Sequence, residues 1–192
     1  MRILGIDPGY GTIGFGVVDY ASSHFTAVDF GAITTDPKLP FEQRLCDIYD
    51  ALKYLLGKHT PEAVAIEELF FTNNRTTGIG VAQARGVILL AVRQAGVPIH
   101  SYTPPQVKQA VVGYGNAEKH QVMEMTRQML HLKSLPRPDD TADALALAIA
   151  DAHCAGSRMG SVKLLEQRLK SVPASSNYQR MVAAALEKEK RK

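Results

Sequence analysis

Residues 2–9, which read RILGIDPG, decide the fold that this sequence predicts. An apolar run from Arg2 to Ile6 ends at Asp7, and the Pro-Gly pair that follows is typical of a turn. A second run, from Thr12 to Val18, alternates well enough for a half-buried strand. A third run, from Phe25 to Ile33, also has strand character. The chain is therefore predicted to open with an antiparallel meander.

Strand-like and helix-like segments alternate after this meander. The predicted strands are residues 63–66 and 98–102, and the predicted helices are residues 41–56, 80–94, 104–112, 117–132 and about 140–153. Gly57 is predicted to end the first helix, and Asp139 or Asp140 to cap the last one. This order predicts an α/β domain in which helices cover a mixed sheet.

Composition excludes several classes of protein. The chain has 192 residues, of which 45% are hydrophobic and 21% charged, as in an ordinary globular domain and unlike collagen or extended disorder. No stretch approaches the roughly 20 apolar residues that a membrane-spanning helix needs, and the N-terminus resembles a strand rather than a signal peptide. Cys46 and Cys154 cannot form a disulfide framework. We therefore expect a cytoplasmic protein with no membrane association.

Charge divides the chain into two parts. Residues 157–192 contain nine Lys or Arg against three Asp or Glu, whereas residues 1–156 have a net charge of −3. We predict one folded domain over residues 1–156 and a basic, partly helical C-terminal tail over residues 157–192, with short helices at 162–169 and 178–186. Such a tail binds phosphate backbones without sequence preference or is simply a solvated terminus, and the sequence leaves both interpretations open.

Four carboxylates occupy positions next to apolar segments, where a charged group costs free energy unless it binds a partner. Asp7 and Glu67 each end an apolar strand, while Asp140 and Asp143 lie three residues apart, on one face of a helix start. If the strand ends meet there, the four groups converge and repel one another unless a hard divalent cation such as Mg²⁺ neutralises them. The expected chemistry is two-metal hydrolysis of a phosphodiester.

Each carboxylate also has a simpler explanation when it is considered alone. Asp7 could form a turn, Asp140 could cap a helix, and Glu67 could join a salt bridge. Asp143 is the hardest to explain in this way, because the residues around it are alanine and leucine. Taken together, the four positions favour a metal site.

Six ordered motifs resemble the RuvC family of bacterial Holliday junction resolvases. They are Gly5-Ile6-Asp7-Pro8-Gly9, Ala65-Ile66-Glu67-Glu68-Leu69-Phe70, Gln83-Ala84-Arg85-Gly86, Gln106-Val107-Lys108-Gln109 with Val111-Val112-Gly113, Ala117-Glu118-Lys119, and Asp140-Thr141-Ala142-Asp143-Ala144-Leu145-Ala146. The resemblance implies a ribonuclease-H-like fold with a five-stranded mixed sheet between helices. It also implies a homodimeric, Mg²⁺-dependent endodeoxyribonuclease, with two Mg²⁺ per site and Mn²⁺ as a possible substitute.

The resemblance assigns roles to particular residues. The catalytic, metal-binding carboxylates fall on Asp7, Glu67, Asp140 and Asp143. Lys119 and Lys108 match lysines near the scissile phosphate, although each could be a solvated helix lysine. Phe70 matches a wedge that stacks at the junction, and Arg75 is a candidate DNA contact. Family members nick two opposed strands of a four-way junction symmetrically and work with the RuvA–RuvB branch-migration complex.

Three other functions compete with this interpretation. An actin-like or sugar-kinase ATPase also opens with such a hairpin, but one domain of this length cannot supply its interdomain cleft. A protein that binds junctions without cutting them is expected to lack at least one carboxylate, and none is lacking. A related nuclease acting on RNA or on other branched DNA is the third. Tyr10 departs from the family pattern, where a small hydroxyl residue is usual, and is expected to slow the reaction or to lie at the rim of the site.

Overall fold

The computed structural model describes the backbone of residues 1–69 and 75–170, and the side chains of residues 1–69 and 78–155. The strands in these ranges are β1 (Arg2–Asp7), β2 (Thr12–Ala21), β3 (His24–Thr34), β4 (Ala63–Glu67) and β5 (Ile99–Tyr102). The helices are α1 (Phe41–His59), α2 (Arg75–Gln94), α3 (Pro104–Val112), α4 (Lys119–Met129) and α5 (Asp139–Lys170).

The strands form one five-stranded sheet in the order β3-β2-β1-β4-β5. The first three strands pair antiparallel, as the meander prediction requires, while β4 and β5 are parallel to β1 and to each other. The predicted mixed sheet covered by helices is therefore confirmed. Because β1 and β4 are parallel neighbours, the residues that follow them lie at the same edge of the sheet.

Helices α1 and α2 cover one face of this sheet. Alternate residues of β1, Leu4 and Ile6, belong to a buried cluster with Ile48 of α1 and Ile88 of α2. The alternation places the intervening residues of β1 on the opposite face. There Gly5 lies against the backbone of α5. The edge of the sheet where β1 and β4 end thus lies between two helical layers.

Glycines allow α5 to approach the sheet closely. A Cβ atom added at Gly5 would lie 1.9 Å from the carbonyl oxygen of Ala144, and one added at Gly14 would lie 1.9 Å from that of Asp140. Gly14 is also the partner of Asp7 in the β1–β2 ladder. Because neither position carries a side chain, the first turns of α5 can lie directly over the end of β1.

Several helix boundaries differ from the sequence predictions. Helix α1 continues through Gly57 to His59, because a single glycine weakens a helix without ending it, and Thr60 adopts the left-handed conformation at the end. Helix α2 starts at Arg75 rather than Gly80, so that residues 75–79, which precede the predicted range, are also helical.

The last two helices also differ in length. Helix α4 is shorter than the predicted range of residues 117–132, because Glu118 and Gln121 form a capping box that fixes its start and Leu130 caps its end. Helix α5 runs to Lys170 instead of ending near His153. Its continuation includes the predicted helix 162–169, whereas the predicted helix 178–186 lies outside the described residues.

The chain divides into two units, residues 1–152 and 153–192. The first contains all five strands described above. Among the described residues of the chain, no helix is long and apolar enough to cross a membrane. Cys46 and Cys154 are free thiols.

Candidate active site

Asp7 and Glu67 lie side by side at the edge of the sheet where β1 and β4 end. Ile6 is paired with Ile66 in the parallel ladder, so the two acidic residues follow at equivalent positions. The pKa of Asp7 is raised to about 8, chiefly by burial, and in addition by the charges of Glu67, Asp143 and Asp140 and by a hydrogen bond with Glu67. Asp7 therefore holds a proton readily when no cation is present.

Asp140 and Asp143 reach this edge from the first turns of α5. Asp140 stands over Gly14, as described above, and Asp143 follows one turn later on the same side of the helix. The negative charges of Asp140 and Asp143 both raise the pKa of Asp7. The structure thus brings together the four carboxylates that the sequence singled out.

Burial is also the main cause of the raised pKa of Glu67 and of Asp143. For Glu67, the charge of Asp143 adds to this effect, while the hydrogen bond with Asp7 and the charge of Lys119 oppose it. For Asp143, the hydrogen bond and charge of Lys119 oppose burial, whereas Asp140 and Asp139 reinforce it. The net result is a raised pKa in both cases, because one lysine does not neutralise several partly buried acids.

Among the side chains that the structure describes, Lys119 is the cation that contacts this cluster. Its Nζ lies 3.0 Å from Oδ2 of Asp143 and 3.7 Å from Oδ2 of Asp139. Partial burial lowers the pKa of Lys119, but the hydrogen bond to Asp143 and the charges of Asp143, Asp139 and Asp140 outweigh this and leave it raised. The side chain is 55% exposed, so it can turn toward a ligand in solution.

The donor chemistry of the cluster fits a divalent cation. All four groups offer carboxylate oxygens, which hard cations such as Mg²⁺ prefer, and their mutual repulsion is relieved by positive charge. Among the side chains that the structure describes, no three His, Cys, Asp or Glu residues are gathered around one point as ready metal ligands. To hold an ion together, these side chains would therefore have to reorient.

Lys108 lines a cavity together with some of these groups. The cavity has a volume of about 260 Å³, and Lys108, Lys119, Glu67 and Asp143 all contribute to its lining. Both lysines predicted to lie near a scissile phosphate therefore border the space next to the carboxylates.

Arg85 of α2 fixes the end of β4, a role that the sequence did not reveal. Its Nε donates a hydrogen bond of 3.1 Å to the carbonyl oxygen of Glu67, and its Nη2 donates one of 3.2 Å to Oγ of Ser101 on β5. The sequence analysis noted Arg85 only as part of a motif. An arginine among small helical residues was the available signal, but its target was not visible without the fold.

Tyr10 packs against α1, and its expected effect on the reaction stays a prediction. Its ring makes an edge contact with Phe41 at 5.8 Å, and the guanidinium of Arg44 lies 4.9 Å from the ring centre. Its carbonyl oxygen accepts hydrogen bonds from Thr35 and from Arg44. The residue thus anchors the turn after Asp7 to α1.

The two remaining predicted DNA contacts, Phe70 and Arg75, have side chains outside the described residues. Phe70 lies outside the described residues, as do Phe71, Asn73 and Asn74. Arg75 is the first residue of α2, but its side chain is outside the described set.

Comparison with known proteins identifies the family. The model of the family described as "Crossover junction endodeoxyribonuclease RuvC" matches residues 3–151. The chain belongs to the RuvC family. This match includes all four carboxylates and both Lys108 and Lys119. Membership of this nuclease family implies use of a divalent metal ion.

Individual RuvC relatives align with this chain over nearly their whole length. The chain is 54% identical to the crossover junction endodeoxyribonuclease RuvC of Brevibacillus brevis, an alignment that covers 79% of this chain and 92% of the relative. The RuvC of Chloroflexus aurantiacus is 50% identical, with 81% of this chain and 94% of the relative covered.

Solved RuvC structures share the fold. Thermus thermophilus RuvC superposes with a TM-score of 0.76 at 40% identity, covering 83% of this chain and 97% of that one. The same protein in complex with a Holliday junction substrate gives a TM-score of 0.75 at 38% identity, with the same coverage. The yeast mitochondrial Holliday junction resolvase, at 14% identity and a TM-score of 0.57, shows likeness of fold alone. The predicted ribonuclease-H-like architecture is confirmed by these neighbours.

Proposed function

We propose that this chain is a structure-selective endodeoxyribonuclease that resolves Holliday junctions in recombination and repair by nicking two opposed strands symmetrically. The observation that carries the proposal is the set of four carboxylates at the joint end of β1, β4 and the start of α5. The similarity to a RuvC that has been seen with a Holliday junction substrate supports the choice of DNA over RNA.

The metal is Mg²⁺, two ions per site, with Mn²⁺ expected to substitute. Asp7, Glu67, Asp140 and Asp143 hold the ions, because they supply oxygen donors and an excess of negative charge. When bound, a pair of divalent ions stabilises the attacking and leaving oxygens of a phosphodiester.

Lys119 and Lys108 bind the phosphate that is cut. Lys119 is more than half exposed, and it pairs with Asp143, which a metal would engage, and at a longer distance with Asp139, so it is available to a phosphate oxygen. A point cation there stabilises the charge that develops on the phosphoryl oxygens. Lys108 borders the same space and is assigned the weaker role of DNA binding.

Phe70 and Arg75 contact the junction from the segment after β4. Phe70 is assigned to stacking on an unpaired base at the branch point, and Arg75 to a phosphate or a base. These assignments rest on the resemblance to the RuvC family and on the position of the segment directly after Glu67. Residues 157–192 add sequence-independent affinity through their net charge of +6.

The active species is a homodimer in the cytoplasm that cooperates with the RuvA–RuvB complex. A four-way junction has two-fold symmetry, so symmetric nicking requires two sites related by the same symmetry. Sedimentation of micromolar protein, with and without junction DNA, is expected to give a dimer, and a strictly monomeric species would contradict this mechanism.

One nuclease assay tests the function. The purified protein is incubated with a labelled synthetic four-way junction or with a linear duplex of the same sequence, with and without Mg²⁺, and the nicks are mapped. We expect paired nicks on opposed strands of the junction only when Mg²⁺ is present. Glu67→Gln is the control for contaminating nuclease. Equal cutting of the duplex would indicate a different branched-DNA or general nuclease, and binding without cutting would contradict catalysis.

A further inference from the structure

Asp151 of α5 is a buried acid that the proposed hydrolysis does not use. Its side chain is 0% exposed. The hydroxyl of Tyr102 donates a hydrogen bond of 2.6 Å to its Oδ1, and Nδ1 of His100 lies 2.6 Å from the same atom. Burying a carboxylate costs free energy unless polar partners replace the lost water. Asp151, Tyr102 and His100 thus form the Asp151 cluster, a directional polar contact between α5 and β5.

The Asp151 cluster shares a strand register with the active site. In the ladder between β4 and β5, Tyr102 is the partner of Glu67, and His100 is the partner of Ala65. Ala65 also pairs with Gly5 of β1, which lies against the backbone of α5. Residues directly opposite each other in a ladder lie on the same face of the sheet. Tyr102 is therefore next to Glu67 on the face that α5 covers.

One side of α5 carries both Asp151 and a carboxylate of the site. Asp143, Leu147 and Asp151 recur every four residues, so they follow the same side of the helix. At a rise of about 1.5 Å per residue, Asp151 lies about 12 Å from Asp143 along the helix axis. Because backbone hydrogen bonds join each turn to the next, a shift of the helix at Asp151 moves Asp143 as well.

We propose that Asp151, Tyr102 and His100 are positioning residues that set where α5 lies along the sheet. They thereby hold Asp143 in place relative to Glu67. The proposal rests on the proposed function, since it gives the Asp151 cluster a part in metal binding and in cleavage. The cluster acts through the helix and the strand, without contact with the metal or the DNA.

Strand β5 is a common reference for the two halves of the site. Arg85 bonds both the carbonyl oxygen of Glu67 and Oγ of Ser101, which fixes the end of β4 to β5. The Asp151 cluster fixes α5 to the residues on either side of Ser101. Successive residues of a strand point to opposite faces. The acidic ends of β4 and α5 are thus held to the same short segment of β5 from its two faces.

Apolar packing alone defines the position of α5 less well. At Gly5 the helix meets the sheet through backbone atoms, since an added Cβ would lie 1.9 Å from the carbonyl oxygen of Ala144 and 2.9 Å from the amide nitrogen of Ala148. Such a contact sets how close the helix lies, but burial of apolar surface has no preferred direction. Hydrogen bonds need a short distance and an aligned donor. The Asp151 cluster therefore adds the constraint on position along the sheet.

The first experiment removes one donor of the Asp151 cluster. Tyr102→Phe keeps the ring and loses the hydroxyl. Tyr49→Phe is the matched control, because the hydroxyl of Tyr49 also joins two elements, by a bond of 2.5 Å from α1 to Oε1 of Gln94 in α2. We expect Tyr102→Phe to slow single-turnover cleavage of a four-way junction about tenfold at low Mg²⁺, less than the roughly hundredfold cost of a 1 Å misplacement. The control should cut like the parent.

A second measurement separates positioning from stability. Mn²⁺ binding is measured by titration calorimetry without DNA, and junction binding by gel shift in Ca²⁺. Misplaced carboxylates hold a cation less tightly, so we expect the dissociation constant for Mn²⁺ to rise about tenfold in Tyr102→Phe while junction affinity is unchanged. A lower unfolding temperature combined with parental cleavage and parental Mn²⁺ binding would overturn the proposal, because the cluster would then stabilise the fold and do no more.

Replacements of Asp151 test whether its acceptor oxygen makes the contact. Asp151→Asn keeps an oxygen for both partners, whereas Asp151→Leu is similar in size and has no acceptor. We expect Asp151→Asn to keep cleavage and Mn²⁺ affinity within about threefold of the parent, and Asp151→Leu to lose at least about tenfold in both. Equal losses in the two variants would contradict a contact made by hydrogen bonds.

Folding and function are checked separately. Circular dichroism and thermal unfolding compare each variant with the parent. If Asp151→Leu does not fold, Tyr102→Phe decides the proposal, since its ring still fills the same space. If the parent nicks no junction, the proposed function fails, and the Mn²⁺ titrations still test the Asp151 cluster. If the parent nicks junctions and Tyr102→Phe equals it in rate and in Mn²⁺ affinity, the positioning proposal fails alone.

Discussion

Asp143 and Asp29 are alike in exposure and in partner, yet their pKa values shift in opposite directions. Each side chain is 30% exposed, and each accepts a bond from a lysine, at 3.0 Å from Lys119 and at 2.8 Å from Lys58. The hydrogen bond from Lys58 lowers the pKa of Asp29, and His59 assists it. Burial raises the pKa of Asp143 despite Lys119.

The difference lies in the neighbours beyond the lysine. Asp29 faces two potential cations, Lys58 and His59, whereas Asp143 faces Lys119 together with further acidic groups. Asp19 resembles Asp29, because the hydrogen bonds of Arg2 lower its pKa. Carboxylates that are paired in this way stabilise the fold, and carboxylates left with excess negative charge form a site for cations.

The most severe test of this comparison replaces one carboxylate of each kind by its amide. Asp143→Asn removes a metal-ligand charge without changing volume, and we expect the single-turnover rate on a four-way junction to fall at least about a thousandfold. Asp29→Asn is the matched control and should leave that rate unchanged. Junction binding in Ca²⁺, measured by gel shift, should persist in both variants.

Retained cutting by Asp143→Asn in Mg²⁺ would remove Asp143 from the site. A large loss of cutting by Asp29→Asn, without loss of folding, would show that paired and unpaired carboxylates do not differ in function.

The second prediction concerns how α5 is placed. Gly14→Ala would put a methyl group 1.9 Å from the carbonyl oxygen of Asp140, so that α5 must move away from the sheet. A displacement of about 1 Å at a catalytic group costs roughly a hundredfold in rate, and we expect at least that loss of cleavage. Thermal unfolding should also occur at a lower temperature.

The matched control is Gly57→Ala in α1. No atom lies within 4 Å of a Cβ added there, and alanine favours the helix. We expect an unchanged cleavage rate and a gain in stability of about 0.4–1 kcal/mol. Normal cleavage by Gly14→Ala would show that the close approach of α5 does not position its carboxylates.

Much of this arrangement could be predicted from the sequence. The apolar runs that stop at Asp7 and Glu67 located two strand ends, and the spacing of Asp140 and Asp143 placed both on one helix face. These signals are local, because strand and helix periodicity is written in neighbouring residues.

The contacts between distant elements could not be predicted in the same way. The role of Gly14 depends on α5, which begins 125 residues later, and Arg85 of α2 binds the carbonyl oxygen of Glu67, which lies 18 residues earlier in the chain. Gly57 was predicted to end a helix because a glycine there has the same local signal as a terminator. Only tertiary packing distinguishes these cases.

The third prediction compares the loss of Lys119 with the loss of Lys58. Lys119→Met should slow cleavage about a hundredfold, because a cation next to the scissile phosphate is lost while the carboxylates remain. Lys58→Met should leave cleavage unchanged, since the described contacts of Lys58 are with Asp29 and the ring of Tyr54 and not with the four carboxylates. Single-turnover rates at saturating protein measure both. Similar rates for the parent and Lys119→Met would leave Lys119 as a partner of Asp143 in the metal-free protein and no more.

The smallest expected effect is on the stability of the metal-free protein as pH changes. The pKa of Asp7 is raised to about 8 in the folded chain, above its unfolded value near 3.9, so the folded state binds the extra proton between these values. The free energy of unfolding contributed by Asp7 must therefore fall as pH rises from about 4 to about 8. Asp19 and Asp29 act in the opposite direction, since their lowered pKa values give stability that is lost only as pH falls below the unfolded value.

The variant Asp7→Asn tests this pH dependence, because its amide stays neutral over the whole pH range. In urea titrations with chelator, the variant should gain stability relative to the parent between pH 5 and pH 8, and added Mg²⁺ should narrow that gap at pH 8. A difference that stays constant across this range would mean that Asp7 is already ionised at pH 5, and that its neighbours do not keep it in the protonated form.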